Sequence, residues 1–385
     1  MRVSLLAVAL AFGLTTVQIY AETVIRTTIE SAGDAKPVMP EEDRVWDATR
    51  RLEDALIRSE IVIRDEALER YLSSIVVRLY PELADVVRVR LFNSPFPNAM
   101  ALAHGALLFT TELVAMTSSE AELAFVVGHE VAHFKLRHAS RKRDHRQTAL
   151  GAGNLFGIAL PIIAHLAAQS AVASYSRDME READALSRER CKAAGYPATG
   201  GVNALKKLDE STKEDNRPPP NLLASHPDVT ERIKTAGDWV RADEKSERAD
   251  NEKTHLTMTS KLRMNALKSE FSANRLANIV RKLDTPEKLR LYPLEARVLL
   301  LQTYLRRAEA DDANRANTLL SETLAIDPKN ADTLRLGGEI SYKARDFANA
   351  RRWFELALIE EKDSAKRTRI EEYLKWILED EKTGS

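Results

Sequence analysis

The sequence predicts a mainly α-helical protein with one small sheet, followed by a second helical domain. Apolar residues recur at helical spacing over residues 41–59 and again over residues 65–79. Residues 87–91 alternate between apolar and charged side chains, which predicts a strand, and residues 100–109 carry a glycine in their middle, which predicts a hairpin. These elements indicate an α+β domain over residues 41–250.

A 34-residue period marks the C-terminal part of the chain. Four positions recur one period later: Leu300, Ala316, Leu320 and Thr323 return as Leu334, Ala350, Phe354 and Ala357. Helix pairs with this period are typical of tetratricopeptide repeats. We therefore predict a helical repeat domain over residues 255–385, preceded by a charged connector. An ordinary helical bundle is the alternative.

An HExxH motif lies in the first domain at His129, Glu130 and His133. Residues at i and i+4 share one face of an α-helix, so the two imidazoles can bind one ion. Glu130 is offset by about 100° and reaches the hydrolytic water beside that ion. Zinc suits two neutral imidazoles and a carboxylate, with one ion per chain and a fourth position open. A chance match on an ordinary amphipathic helix is the alternative.

The motif lies on a predicted buried helix. Ser119 and Glu122 form a capping box, so the helix should begin there and continue to about Ala139. Apolar residues form a stripe along it, at Ala121, Ala124, Val127, Val131 and Phe134.

The third metal ligand must come from elsewhere, and Glu180 is the candidate. Glu180 and Asp184 are four residues apart and share a helical face. Glu180 can bind the metal, while Asp184 can accept the free N–H of a ligand histidine and fix its tautomer. Without the upstream motif, such a pair would usually be a solvated helix face.

Several stretches together resemble metallopeptidase family forty-eight (M48), which includes HtpX, the CAAX prenyl proteases and periplasmic BepA-like proteins. The stretches are HEVAHFKLRH from His129, EREAD from Glu180, PNAMAL from Pro97, and SHP around His226 with Arg232 downstream. The resemblance covers about residues 42–240. His104-Gly105 departs from the Pro-Gly-Gly-like turn of many members, which affects the cleft more than the metal site.

The resemblance implies roles for two further residues. In related periplasmic enzymes the loop histidine lies over the zinc, so His226 is expected to be catalytic, either as a gate on the open metal position or as an oxyanion donor. Arg232 is expected to anchor its loop. The expected substrates are unfolded or misassembled envelope proteins, and the helical repeats would dock a protein partner. Enzymes of this type hold an extended substrate on an edge strand, for which residues 106–109 are the candidate; an ordinary sheet strand is the alternative.

Composition limits the other functions. The formal net charge of −1 argues against a nucleic-acid partner, because phosphate binding needs a basic surplus. The single cysteine, Cys191, excludes an internal disulfide.

The N-terminus resembles an export signal. Residues 1–21 have a charged start and an apolar core, with Ala21 as the expected last residue removed. An uncleaved anchor is the alternative, and residues 22–40 are expected to form an extended or disordered leader. Export and the family resemblance together predict a periplasmic protein.

Residues 147–176 contain no Asp, Glu, Lys or Arg. A single membrane span there would separate His129 and His133 from Glu180, so we predict a helical hairpin packed on the catalytic domain, whose apolar surface could touch lipid. The basic run at residues 137–146 predicts a solvated helix end, with contact to a membrane surface as the alternative.

These features predict a zinc-dependent endopeptidase of the bacterial cell envelope that degrades misfolded or misassembled proteins. The competing hypothesis is a chaperone or assembly adaptor that acts through its repeats and has a latent peptidase site. Prenyl-protein processing is disfavoured, because it needs a chamber of several membrane spans.

Overall fold

The computed structural model describes residues 28–59, 61–141, 175–213, 226, 228–243 and 251–383. The chain divides into two compact units, residues 1–259 and 260–385. The predicted signal peptide, the apolar stretch up to residue 174 and the proline-rich loop at residues 217–220 lie outside the described residues.

Helices dominate both units. In the first unit α1 to α8 are Pro40–Arg58, Glu66–Leu79, Thr111–Met116, Glu120–Lys135, His138–Arg141, Arg177–Ala193, Thr199–Lys213 and Val229–Asp243. Helix α9, Glu252–Ser272, crosses the boundary between the units. In the second unit α10 to α16 are Leu276–Leu283, Pro286–Leu289, Leu294–Arg307, Asp312–Ile326, Ala331–Lys343, Phe347–Glu360 and Ser364–Thr383. Within the described ranges, no helix combines the length and apolarity that a bilayer crossing requires.

One four-stranded sheet accompanies the helices of the first unit. Its strands are β1 (Val62–Ile63), β2 (Arg88–Phe92), β3 (Ala99–Ala101) and β4 (Ala106–Thr110), in the spatial order β1-β2-β4-β3. Strands β3 and β4 form the predicted hairpin. Gly105 between them has a φ of 91°, a conformation that residues with a side chain rarely adopt. The predicted fold class, mainly α with a small sheet, is confirmed.

The prediction that residues 106–109 form a substrate-binding edge strand is wrong. Strand β4 pairs in parallel with β2, where Arg88 faces Ala106, and antiparallel with β3, where Met100 faces Leu108. Both sides of its backbone are therefore used by neighbouring strands. The strand at this end of the sheet is β3.

The motif helix α4 begins as predicted and ends earlier than predicted. The Ser119 side chain caps it by accepting a hydrogen bond from the Glu122 backbone N–H at 3.3 Å. The helix stops at Lys135, four residues before the predicted end at Ala139. Arg137 adopts a left-handed conformation with a φ of 54°, which turns the chain before the short helix α5 begins.

The prediction that the basic run forms a solvated helix end is wrong for Arg137. Its side chain is buried and donates hydrogen bonds to the Glu42 carboxylate at 2.6 Å and to the Asp34 carbonyl at 2.6 Å. The nearby Ile29 is buried too, and its N–H donates to the Lys135 carbonyl at 2.8 Å. The described part of the predicted leader, from residue 28, is therefore fixed to the end of the motif helix.

In the second unit the eight positions of the 34-residue period are all buried, as the repeat hypothesis requires: Leu300, Ala316, Leu320, Thr323, Leu334, Ala350, Phe354 and Ala357. Gly338 faces the Phe354 ring so closely that a Cβ would lie 2.5 Å from it. The tetratricopeptide assignment and the predicted domain limits stay predictions.

Helices α4 and α6 pack closely at Gly128, the residue before the first motif histidine. A Cβ at this position would lie 2.6 Å from the Ser187 hydroxyl oxygen of α6. Ser187 is fully buried and donates a hydrogen bond to the Phe125 carbonyl at 2.7 Å, so it has little freedom to move away. This contact sets the distance between the helix that carries the histidines and the helix that carries Glu180.

We expect Gly128→Ala to lower the free energy of unfolding by about 1–3 kcal/mol, because the added methyl group overpacks this contact. Chemical denaturation of the purified protein measures the change. Gly33→Ala is the control, since its Cβ would meet only the Ser31 hydroxyl oxygen at 3.7 Å. Equal stability of Gly128→Ala and wild type would show that the two helices can separate at little cost.

Candidate metal centre

Three predicted ligands converge in the interior of the first unit. The Nε2 atoms of His129 and His133 lie 2.9 Å apart. The Glu180 carboxylate faces both rings, with Oε2 3.4 Å from His129 Nε2 and Oε1 3.4 Å from His133 Nε2. All three side chains are buried. The i, i+4 spacing on α4 and the position of Glu180 in the first turn of α6 produce this arrangement.

His226 joins the same cluster. Its Nδ1 atom lies 3.3 Å from His129 Nε2 and 3.0 Å from Glu180 Oε1. Its other ring nitrogen, Nε2, is 3.7 Å from Glu130 Oε1. The structure thus brings His226 to the metal ligands.

The cluster fits a divalent metal ion. Four donor atoms of His129, His133, Glu180 and His226 lie within 4.8 Å of one another. Ligands at about 2.1 Å from a tetrahedral zinc ion would be about 3.4 Å apart, close to the separations seen here. The charge also fits, because three buried carboxylates, those of Glu130, Glu180 and Asp184, lie at the cluster and Arg232 contacts two of them.

Asp184 and Arg232 hold the ligands from behind. Asp184 Oδ1 lies 2.8 Å from His129 Nδ1, where it can accept the ring N–H; its predicted role in fixing the tautomer stays a prediction. Arg232 donates to both oxygens of Asp184, at 2.7 and 2.8 Å, and lies 2.8 Å from Glu180 Oε2. Arg232 therefore fixes helix α8 to helix α6, and its predicted role as an anchor of the His226 loop stays a prediction.

Burial and charge act in opposite directions on the pKa values of the cluster. Burial and the Arg232 charge oppose protonation of His129, but the carboxylates of Glu180 and Asp184 outweigh them and raise the pKa of His129 to about 9. Burial also opposes ionisation of Glu180, yet His226 and His129 hold the pKa of that carboxyl well below its usual range.

Glu130 is in a different electrostatic environment. Burial is the largest influence on it and raises its pKa. Its Oε2 atom is buried and has no hydrogen-bond partner among the described residues, and the same holds for His226 Nε2. Beside them is a largely apolar cavity that His129 and Glu130 line together with Ala99, Leu113, Phe125, Val126, Leu205 and Leu208. Two polar atoms thus remain available to groups that enter the site.

The sequence did not assign roles to three further residues. His138 Nδ1 lies 2.8 Å from His133 Nδ1, and its Nε2 lies 3.1 Å from Glu182 Oε2. The Tyr175 ring stacks on His133 with 3.7 Å between ring centroids. Burial lowers the pKa of His138 to about 4. Spacing alone could not identify His138, because residues five apart on a continuous helix point about 140° away from each other.

Two histidines on one turn of a buried helix, a distant glutamate and a glutamate directly after the first histidine define the class of HExxH metallopeptidases. Comparison with known families is more specific: residues 63–240 match Peptidase family M48. The chain thus carries an M48 peptidase domain. The match confirms the predicted family for this domain and supports the predicted enzyme class, a metallopeptidase.

Several curated proteins are similar over this part of the chain. A beta-barrel assembly-enhancing protease of Yersinia pestis is 27% identical over 217 residues, which cover 52% of this chain and 42% of that protein. Its namesake in Escherichia coli is 26% identical over 192 residues, 46% of this chain and 39% of that protein. The Escherichia coli metalloprotease YcaL is 27% identical over 162 residues, 40% and 62% of the two chains. The chain thus spans less than half the length of the two assembly-enhancing proteases.

We expect Arg232→Ala to lower the free energy of unfolding by about 3–5 kcal/mol, because it leaves the buried carboxylates of Asp184 and Glu180 without their cation. Thermal or chemical denaturation measures the change. Arg181→Ala is the matched control, since Arg181 joins the same two helices through an exposed pair with Glu231 and its loss should leave the stability close to that of wild type. Equal effects of the two substitutions would contradict this account of Arg232.

Proposed function

We propose that this protein is a zinc-dependent endopeptidase of the bacterial cell envelope. The observation that carries the proposal is the buried cluster of His129, His133 and Glu180 with Glu130 beside it. Neutral imidazoles and a carboxylate are the donor set of catalytic zinc sites, and one ion per chain would be held by these three residues.

A zinc ion held by His129, His133 and Glu180 would supply Lewis-acid chemistry, lowering the pKa of a nearby water towards about 7 and polarising the peptide carbonyl. Glu130 acts as the general base: its Oε2 atom takes a proton from the attacking water and then passes it to the leaving amine. Two features suit Glu130 to this task, namely a raised pKa and an oxygen with no partner among the described residues. Asp184 holds the proton of His129 on Nδ1 and so keeps Nε2 free for the metal.

The surroundings of Glu130 support a peptide substrate. The adjacent cavity is lined mainly by apolar side chains, among them Phe125, Leu205 and Leu208. It can receive an apolar side chain next to the scissile bond. Ala99 of the end strand β3 also lines the cavity, so the sheet and the catalytic carboxylate meet there.

The location and the substrates are inferred from the relatives and the sequence. Two relatives are named for the assembly of β-barrel proteins, and residues 1–21 resemble an export signal. We therefore place the protein in the periplasm, with unfolded or misassembled envelope proteins as substrates. In this proposal residues 41–250 are the peptidase domain, and residues 255–385, as tetratricopeptide-like repeats, bind a protein partner.

Cleavage of casein by the purified protein, with and without a zinc chelator, tests the proposal. A metallopeptidase loses activity with the chelator and regains it when zinc is restored. A chaperone or assembly adaptor with a latent site would bind unfolded protein without cleaving it in either condition. That second result would refute the proposal.

We expect Glu130→Gln to retain about one zinc per chain and to lose hydrolysis by about 10²–10⁴-fold or more, because Glu130 moves the proton and does not bind the metal. Zinc analysis and casein cleavage are the two measurements. Glu180→Ala and His133→Ala are the contrasting variants and should lose the metal. Full zinc occupancy in Glu180→Ala would show that Glu180 is not a ligand.

The two candidate roles of His226 predict opposite effects of its substitution on proteolysis. As a gate it occupies the fourth metal position, as its 3.3 Å distance to His129 Nε2 allows, and His226→Ala should then raise proteolysis or self-cleavage. As an oxyanion donor, its loss should lower kcat by about 10²–10³-fold. We expect the gate, and steady-state kinetics of the variant decide. Unchanged activity together with unchanged zinc affinity would exclude both roles.

A further inference from the structure

The two motif histidines are held from behind in different ways. His129 Nδ1 faces a carboxylate, Asp184, at 2.8 Å. His133 Nδ1 faces another histidine instead, since His138 Nδ1 lies 2.8 Å away. His138 is fully buried, and its far nitrogen lies 3.1 Å from the carboxylate of Glu182.

The turn after the motif helix makes this contact possible. On a continuous helix His138 would point about 140° away from His133. The left-handed conformation of Arg137, with a φ of 54°, ends the helix and brings His138 back against the motif. The Arg137 side chain is itself fixed by the buried Glu42 carboxylate at 2.6 Å. The contact is therefore built into the fold.

If His133 Nε2 is to bind a metal, the protons in the chain from His133 through His138 to Glu182 can be arranged in only one way. The proton of neutral His133 must then be on Nδ1, which donates to His138 Nδ1. The proton of His138 is consequently on Nε2, which donates to Glu182 Oε2. Arg141 donates to the same oxygen at 3.0 Å and holds this carboxylate in place.

We propose that His138 and Glu182 are positioning residues that fix the tautomer and the ring orientation of His133 for metal binding. The inference rests on the proposed metal site. Tyr175 supports the same ring orientation, because it stacks on His133 with an angle of 19° between the ring planes. Glu182 is about half exposed, with 44% of its side chain accessible, so a surface carboxylate acts on a buried ligand through one intervening ring.

Zinc affinity, measured by competition with a chelator of known affinity, tests this proposal. His138→Leu should weaken zinc binding by about 10–100-fold, the usual effect of losing such a partner. His138→Asn should recover much of the loss, because its Oδ1 atom can accept from His133 Nδ1. Glu182→Ala should weaken binding by less than His138→Leu does. The control is Glu66→Ala, which removes an exposed carboxylate paired only with Arg70 in the described structure and should leave zinc affinity unchanged.

The outcomes separate this inference from the proposed function. If the wild type binds no zinc, the proposed function fails and the inference fails with it. If the wild type binds zinc and both His138→Leu and Glu182→Ala bind it as tightly, the inference alone is overturned. If His138→Leu does not fold, Glu182→Ala decides, because the Glu182 side chain is half exposed and its removal should not prevent folding. A zinc affinity of Glu182→Ala equal to that of Glu66→Ala then overturns the inference.

Discussion

Three buried carboxylates lie around one buried guanidinium in the first unit, and the geometry of the candidate site depends on that arrangement. Glu130, Glu180 and Asp184 are all buried, and Arg232 is the cation that contacts two of them. Buried charges are costly unless they are paired, so a further positive charge beside these carboxylates would be stabilising. A divalent cation bound by His129, His133 and Glu180 would supply such a charge. The same buried carboxylates would therefore affect both the affinity of the cluster for a metal and the stability of the fold.

Local patterns in the sequence predicted the parts of the site that lie on single helices. The spacing of His129 and His133, the capping residue Ser119 and the pair Glu180 and Asp184 all follow helical periodicity, and the structure has them on α4 and α6. The hairpin around Gly105 was predictable for a similar reason, because its turn chemistry is local. His226 came from the family resemblance and not from spacing.

The features that the sequence did not reveal depend on contacts between distant segments. The position of β4 inside the sheet follows from its parallel pairing with β2, which no local pattern encodes. The end of α4 depends on Arg137, whose left-handed conformation is accompanied by contacts with Glu42 and Asp34 from about a hundred residues earlier. The contact of His138 with His133 depends on that turn, so it could be recognised only from the structure.

The close contact between Gly128 and Ser187 has a kinetic consequence. It joins the helix of the two histidines to the helix of Glu180, and Arg232 reinforces the pair through Asp184. Dissociation of a metal ion from these three ligands would require the two packed helices to separate or their buried side chains to rotate. His226 belongs to neither helix. Its displacement would therefore require no separation of the two helices and no rotation of the three ligand side chains. If His226 covers the open metal position, metal exchange and substrate access would therefore have separate activation barriers, and the site would open and close many times during the residence of a single ion.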